Sequence, residues 1–102
     1  MHKLSTIEQW LKVIFGQHKC LKELYLIGSI LRDENLINDV DIIQRISFEK
    51  GNVIDAYLQS LKVIKEEFRK AFSTSLDITT FTQNEDSDFE RFISLNKHLK
   101  II

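Results

Sequence analysis

Between Val53 and Phe72 the apolar residues return at helical spacing: Val53, Ile54, Tyr57, Leu58, Leu61, Ile64, Phe68 and Phe72. This run lies between two stretches of another kind. Asp39 to Ile46 carries the β-branched residues Val40, Ile42, Ile43 and Ile46. Ser75 to Thr82, "SLDITTFT", is enriched in threonine and aromatic residues. Both read as strands. A long helix between two strands restricts the chain to a layered architecture, with helices packed on a sheet.

The remaining segments fit that scheme. Ser5 is placed to cap a first helix, with Glu8 as its capping-box partner. Ile7, Trp10, Leu11, Ile14 and Phe15 follow helical spacing, and the helix either frays near Gly16 or continues to about Lys19. Leu24 to Ile27 reads as a buried strand that stops at Gly28-Ser29. A short helical turn over Ile30 to Glu34 and a polar loop through Asn35 and Asn38 lead to the second strand. Gly51-Asn52 ends the next loop, with Asn52 as a helix cap. Asn84 to Ser87 form a polar turn before a last helix carrying Phe89, Phe92, Ile93 and Asn96. The final "HLKII" is either a short edge strand or a docked tail. The order α-β-(short α)-β-α-β-α predicts an α+β domain, α/β-like in its alternation, with helices on a small mixed sheet.

Composition bounds the function. The 102 residues are expected to form one domain, 1–102. A formal net charge of -1 argues against a bulk electrostatic grip on nucleic acid or anionic membrane. Cys20 is the only cysteine, so an intrachain disulfide and a cysteine-based zinc site are excluded, and a reducing cytoplasm is the expected compartment. The N-terminal residues lack the continuous apolar core and small-residue cleavage site of a signal peptide. No apolar run approaches a membrane-spanning length. With no proline in the chain, segment ends are read from Gly, Asn, Asp and Ser.

The chemistry concentrates in "LIGSILRDENLINDVDII", Leu26 to Ile43. Asp39 and Asp41 stand two apart on a strand, so both side chains leave one face. Like charges this close raise at least one pKa. No basic residue sits between them, and a divalent cation resolves the conflict. Magnesium prefers carboxylate oxygen and keeps other positions for water and phosphates. Gly28-Ser29 ends one strand and opens a helical turn. Glycine lets a phosphate approach the backbone, amide groups at a helix start face an anion, and Ser29 adds a hydroxyl. Asp77 lies between Leu76 and Ile78, which point inward, so it faces the opposite side. If the third strand lies beside the second, Asp77 joins Asp39 and Asp41. Three carboxylates could hold two metal ions.

Gly28-Ser29-Ile30-Leu31-Arg32-Asp33, then Asn38-Asp39-Val40-Asp41-Ile42, then a distant Asp77 resembles the polymerase-beta-type nucleotidyltransferase superfamily. The minimal nucleotidyltransferase branch is closer, with its Gly-Ser-x-Ala-Arg-Gly and Ser-Asp-x-Asp pattern. Leu31, Asp33 and Asn38 depart from that pattern, and Asp33 adds negative charge near the phosphate loop. The motif lies within residues 24 to 82. The resemblance implies the family's fold and the transfer of a nucleoside monophosphate from a triphosphate, with ATP as the expected substrate, to a hydroxyl. Gly28 and Ser29 would hold the triphosphate. Asp39 and Asp41 would bind Mg2+. Asp77 would bind the catalytic metal and help deprotonate the acceptor. Arg32 falls on the family's arginine, where it would steady the phosphates or the loop.

The resemblance also implies a partner, because minimal members are often paired with a HEPN-domain protein as antitoxin and toxin. The chain is short for an acceptor-binding domain, so such a partner or a homo-oligomer is expected to complete the acceptor site. Two other readings compete. One is a non-catalytic antitoxin that masks its partner, against which the intact Asp39, Asp41 and Asp77 count. The other is transfer to a small molecule, as in antibiotic-modifying relatives, which usually carry an extra domain. Arg32 is equally open to a phosphate contact or to an ion pair with Asp33 or Glu34. His2, His18 and His98 make no metal-ligand spacing and read as surface residues. Cys20 reads as a small buried or half-buried side chain. Trp10, Phe15, Tyr57, Phe68 and Phe72 read as core. Lys62, Lys65, Arg69 and Lys70 alternate with Glu66 and Glu67 and read as a solvated face.

Overall fold

The computed structural model describes residues 4–33, 39–47 and 51–102, the side chains of 51–54 excepted. It is a small α+β domain. Helix α1 (Leu4–Phe15) leads to β1 (Leu21–Ile27), a 3-10 turn (Ser29–Leu31), β2 (Asp39–Ile46), helix α2 (Gly51–Phe72), β3 (Ser75–Thr82), a second 3-10 turn (Gln83–Glu85), helix α3 (Asp86–Leu95) and β4 (His98–Lys100). The four strands form one mixed sheet in the order β3-β2-β1-β4. β1 runs antiparallel to β2 and β4, and β3 runs parallel to β2. The parallel pair is joined through α2, the crossover that such a pair requires.

Alternation along the strands makes two unequal faces. Leu24, Leu26, Val40, Ile42, Ile46 and Leu76 turn to one side and pack with Ile7, Leu11 and Phe15 of α1 and Tyr57, Ile64, Phe68 and Phe72 of α2. The Trp10 ring sits edge-on to Phe68 and Phe72, with centroids 5.3 and 5.9 Å away, and ties α1 to α2. Gln44 is fully buried on this face. Its amide is satisfied there: Tyr57 Oη donates to Gln44 Oε1, and Gln44 Nε2 donates to Thr80 Oγ1 at 2.9 Å.

Among the described residues, the other face is covered by α3. Phe89 packs on Tyr25 and Ile43, with Ile27, Phe81, Phe92 and Ile93 around them. Arg45 lies over the Phe89 ring at 4.4 Å and reaches both Glu23 and Asp86. This small cluster sits over the middle rows of the sheet. The row that begins β2 and β3 is left outside it.

Several boundaries differ from the sequence reading. Ser5 lies inside α1, which is described from Leu4, rather than at its cap; Leu4 packs on the core. The helix ends at Phe15. β1 begins at Leu21 rather than Leu24 because Arg45 and Ile46 offer partners to Glu23 and Leu21. The turn after β1 is a three-residue 3-10 turn, and Glu34, Asn35 and Asn38 lie outside the described residues. Asn52 lies inside α2, which begins at Gly51. Asn84 belongs to a 3-10 turn whose capping box joins Thr82 and Glu85, and α3 already begins at Asp86. The tail is both of the alternatives considered. His98 to Lys100 pairs with β1, and Ile101 follows it into the core, its N–H donating to the Leu24 carbonyl at 2.8 Å. Among the described residues no helix is long and apolar enough to cross a membrane.

Candidate active site

Strand direction brings the singled-out residues to one end of the sheet. β1 ends at Ile27, where β2 and β3 both begin. Ile27 pairs with Asp41, and Asp41 pairs with Asp77. Asp39 pairs with Ser75, one row further out on the same face. Asp41 and Asp77 are therefore direct neighbours on adjacent strands, and Asp39 shares their face through the period of two. Asp39 and Asp77 are exposed, and Asp41 is half-buried.

Gly28 closes this end of the row. Its φ is +86° and its ψ is -158°, a region essentially restricted to glycine. A Cβ at this position would lie 2.6 Å from Asp41 Oδ2. The glycine thus does two things. It permits the reversal out of β1, and it lets the backbone pass directly against the Asp41 carboxylate. The sequence reading assigned this freedom to the approach of a phosphate; the close neighbour in the structure is a carboxylate.

After Gly28 the chain makes one tight turn. Leu31 N–H donates to the Gly28 carbonyl at 3.1 Å, and Arg32 and Asp33 N–H donate to the Ser29 carbonyl at 3.0 Å. Ile30 is buried and anchors the turn. A three-residue 3-10 turn carries little macrodipole, so the expected helix-start contribution at Gly28-Ser29 reduces to the amides themselves. Ser29 is half-buried and Arg32 is exposed. Glu34, one of the two ion-pair partners considered for Arg32, lies outside the described residues.

The electrostatics of the row are unbalanced. Burial pushes the Asp41 carboxyl above its ordinary value, and the charges of Asp77 and then Asp39 push it further in the same direction. Among the described residues the ion pairs are Glu8–Lys12, Glu23–Arg45, Glu23–Lys100 and Asp86–Arg45, none of which involves Asp39, Asp41 or Asp77. Also among the described residues, no three His, Cys, Asp or Glu side chains are grouped so as to hold one ion. The arrangement is a facing pair of carboxylates, Asp41 and Asp77, with Asp39 beside them.

Two further residues complete the row. Ile27 supplies an apolar floor beside Asp41, and His98 of β4 pairs with Ile27 on its far side. The His98 ring stands edge-on to Tyr25, and its Nδ1 lies 2.9 Å from the Asn96 carbonyl. It is exposed, as expected, but its position in this row depended on β4 being a strand, which the sequence left open. His18 is not a plain surface residue: its ring lies 4.7 Å from that of Tyr57, and burial lowers its pKa. Cys20 is buried and its thiol pKa is raised, first by that burial. No protein-family model, curated protein or solved structure matches the chain.

Proposed function

We propose that the protein is a small magnesium-dependent nucleotidyltransferase that moves a nucleoside monophosphate, from ATP in the first instance, to a hydroxyl of an acceptor. The observation that carries this reading is the in-register pairing of Asp41 with Asp77, with Gly28 against the Asp41 carboxylate. A carboxyl such as Asp41, pushed above its ordinary value by burial and neighbouring carboxylates and with no ion-pair partner among the described residues, lowers the stability of a fold, and such groups are retained where they hold a cation or move a proton. Magnesium is usually held by one or two carboxylates together with substrate phosphates, so a facing pair fits it without an all-protein cage. Bound there with the triphosphate, it would neutralise charge on the phosphates and on the leaving pyrophosphate.

The chain's own residues have separable tasks. Gly28 and Ser29 hold the triphosphate through backbone amides and the Ser29 hydroxyl. Asp41 and Asp77, with Asp39 beside them, form the metal-binding corner of the site, and Arg32 is exposed at its margin. Asp77, on the edge strand and open to solvent, accepts the proton of the acceptor hydroxyl. The acceptor oxygen then forms a bond to the α-phosphorus. The bond from that phosphorus to the bridging oxygen breaks, and its electron pair leaves with pyrophosphate. The acceptor is expected to come from a protein partner, of the HEPN type that the resemblance implies, or from a second subunit.

Thermal unfolding tests this reading without knowledge of the acceptor. ATP, GTP, CTP and UTP would each be added with and without Mg2+, to the wild type and to Asp39→Asn/Asp41→Asn. A ligand at a hundred times its Kd stabilises by about 2.7 kcal/mol. That corresponds to a rise on the order of 10 °C in a domain of this size. The expected result is a magnesium-dependent rise with ATP that the double variant lacks. Equal behaviour of the two proteins would remove the site from consideration.

A further inference from the structure

We propose that the free edge of β3, rimmed by Lys62 and Lys65 of α2, takes up an extended acidic segment of another protein as a fifth strand. The two edges of the sheet are built differently. β4, at one edge, is three residues long and carries His98 and Lys100. Short edge strands bearing charge are the usual protection against strand addition. β3, at the other edge, is eight residues long and pairs with β2 over its whole length without a register shift. It contains no proline and no lysine, and its one charge is Asp77. Among the described residues β3 has no second strand partner. One side of its backbone is thus a row of groups suited to pairing by an incoming chain.

The rim selects the partner. Leu61, Lys62, Lys65, Ile78 and Thr80 line a shallow cavity of about 270 Å³ where α2 meets β3. Lys62 and Lys65 are exposed and form no ion pair among the described residues. Helical periodicity puts Arg69 on the same flank, one turn beyond Lys65, and puts Glu66 next to Lys62 at the outer margin, outside the cavity lining. A strand added here would present alternate side chains to this basic flank and the others to the Asp77 face. Acidic residues suit the first set and uncharged polar residues the second.

Charge also decides against a second copy. Two identical edge strands pair antiparallel about a two-fold axis perpendicular to the sheet, which keeps both α2 helices on one side. Lys62 and Lys65 of the two copies would then meet across the axis.

The probe is a capped peptide, Thr-Glu-Thr-Val-Thr-Glu-Thr, and its counterpart with Lys in place of Glu. Amide exchange across 75–82 would be followed by NMR, with affinities taken from shift titrations. The acidic peptide is expected to slow exchange at alternate β3 amides. It is also expected to bind at least fivefold more tightly than the basic peptide, and at least fivefold more weakly to Lys62→Glu/Lys65→Glu. Absence of protection on β3, or equal binding of the two peptides, would overturn the proposal. A concentration-dependent dimer protecting the same amides without peptide would assign the edge to a second copy and overturn it equally.

Discussion

At Gly28 a hydrogen stands where any other residue would carry a carbon, and the Asp41 carboxylate lies against it. Gly28→Ala therefore combines a disfavoured backbone conformation, which costs about 1–3 kcal/mol, with a contact that only movement of Asp41 relieves. The expected outcome is a loss of at least that size in denaturant unfolding, with nucleotide response lost even where the variant stays folded. Asp41→Asn is expected to act in the opposite direction on stability. Because its folded-state pKa is raised above the ordinary 3.8, Asp41 favours the fold on the acid side, and that contribution is lost as pH rises through the raised value. The asparagine variant has no such loss. At neutral pH, without nucleotide, it should unfold at a higher temperature than the wild type. A lower one would mean that Asp41 is a structural residue. The sequence made Asp39 and Asp41 visible by their spacing and Gly28 by its place after a strand. It could not show that Gly28 and Asp41 touch, because that contact joins different strands.

Of the three helices, α3 buries the fewest side chains. Its one buried side chain is Phe89, supported by the Tyr25 and Phe81 rings at 5.5 and 5.6 Å and by Arg45 above. Phe89→Ala should cost about 3–5 kcal/mol, with exchange protection lost first in α3 and β4. The polar tie beside it responds to pH. Partial burial alone would raise the Glu23 carboxyl. Hydrogen bonds from Tyr25, Arg45 and Lys100 outweigh that and hold it below the ordinary range. Its contribution is therefore present above the ordinary 4.5 and lost as pH falls through the lowered value. Below about pH 4.5, α3 is expected to open before the main core, as followed by exchange of the α3 amides. At this scale the sequence was informative where periodicity was long: β2 and β3 have the bounds their β-branched and threonine-rich runs predict, and α2 ends at Phe72 as its spacing requires. It was uninformative where charge interrupts a strand. Lys22 and Glu23 disguised the first half of β1, and Glu23 belongs there because Arg45 and Lys100 meet it.

For the whole molecule the decisive facts are strand order and direction. Neither is written in local periodicity, because each depends on pairing between distant segments. The alternation of helices and strands predicts a layered domain. That β3 lies parallel to β2, with Asp77 opposite Asp41, follows only from the assembled sheet. Among the described residues α3 covers the second face around Tyr25, Ile43 and Phe81, and Asp39 and Asp77 are exposed beside it. The most direct test of the account is paramagnetic broadening by Mn2+ in place of magnesium, titrated with ATP into labelled protein. The account predicts that broadening centres on the amides of Gly28, Asp41 and Asp77 and is lost in Asp39→Asn/Asp41→Asn. Broadening centred elsewhere, or unchanged in that variant, would contradict it.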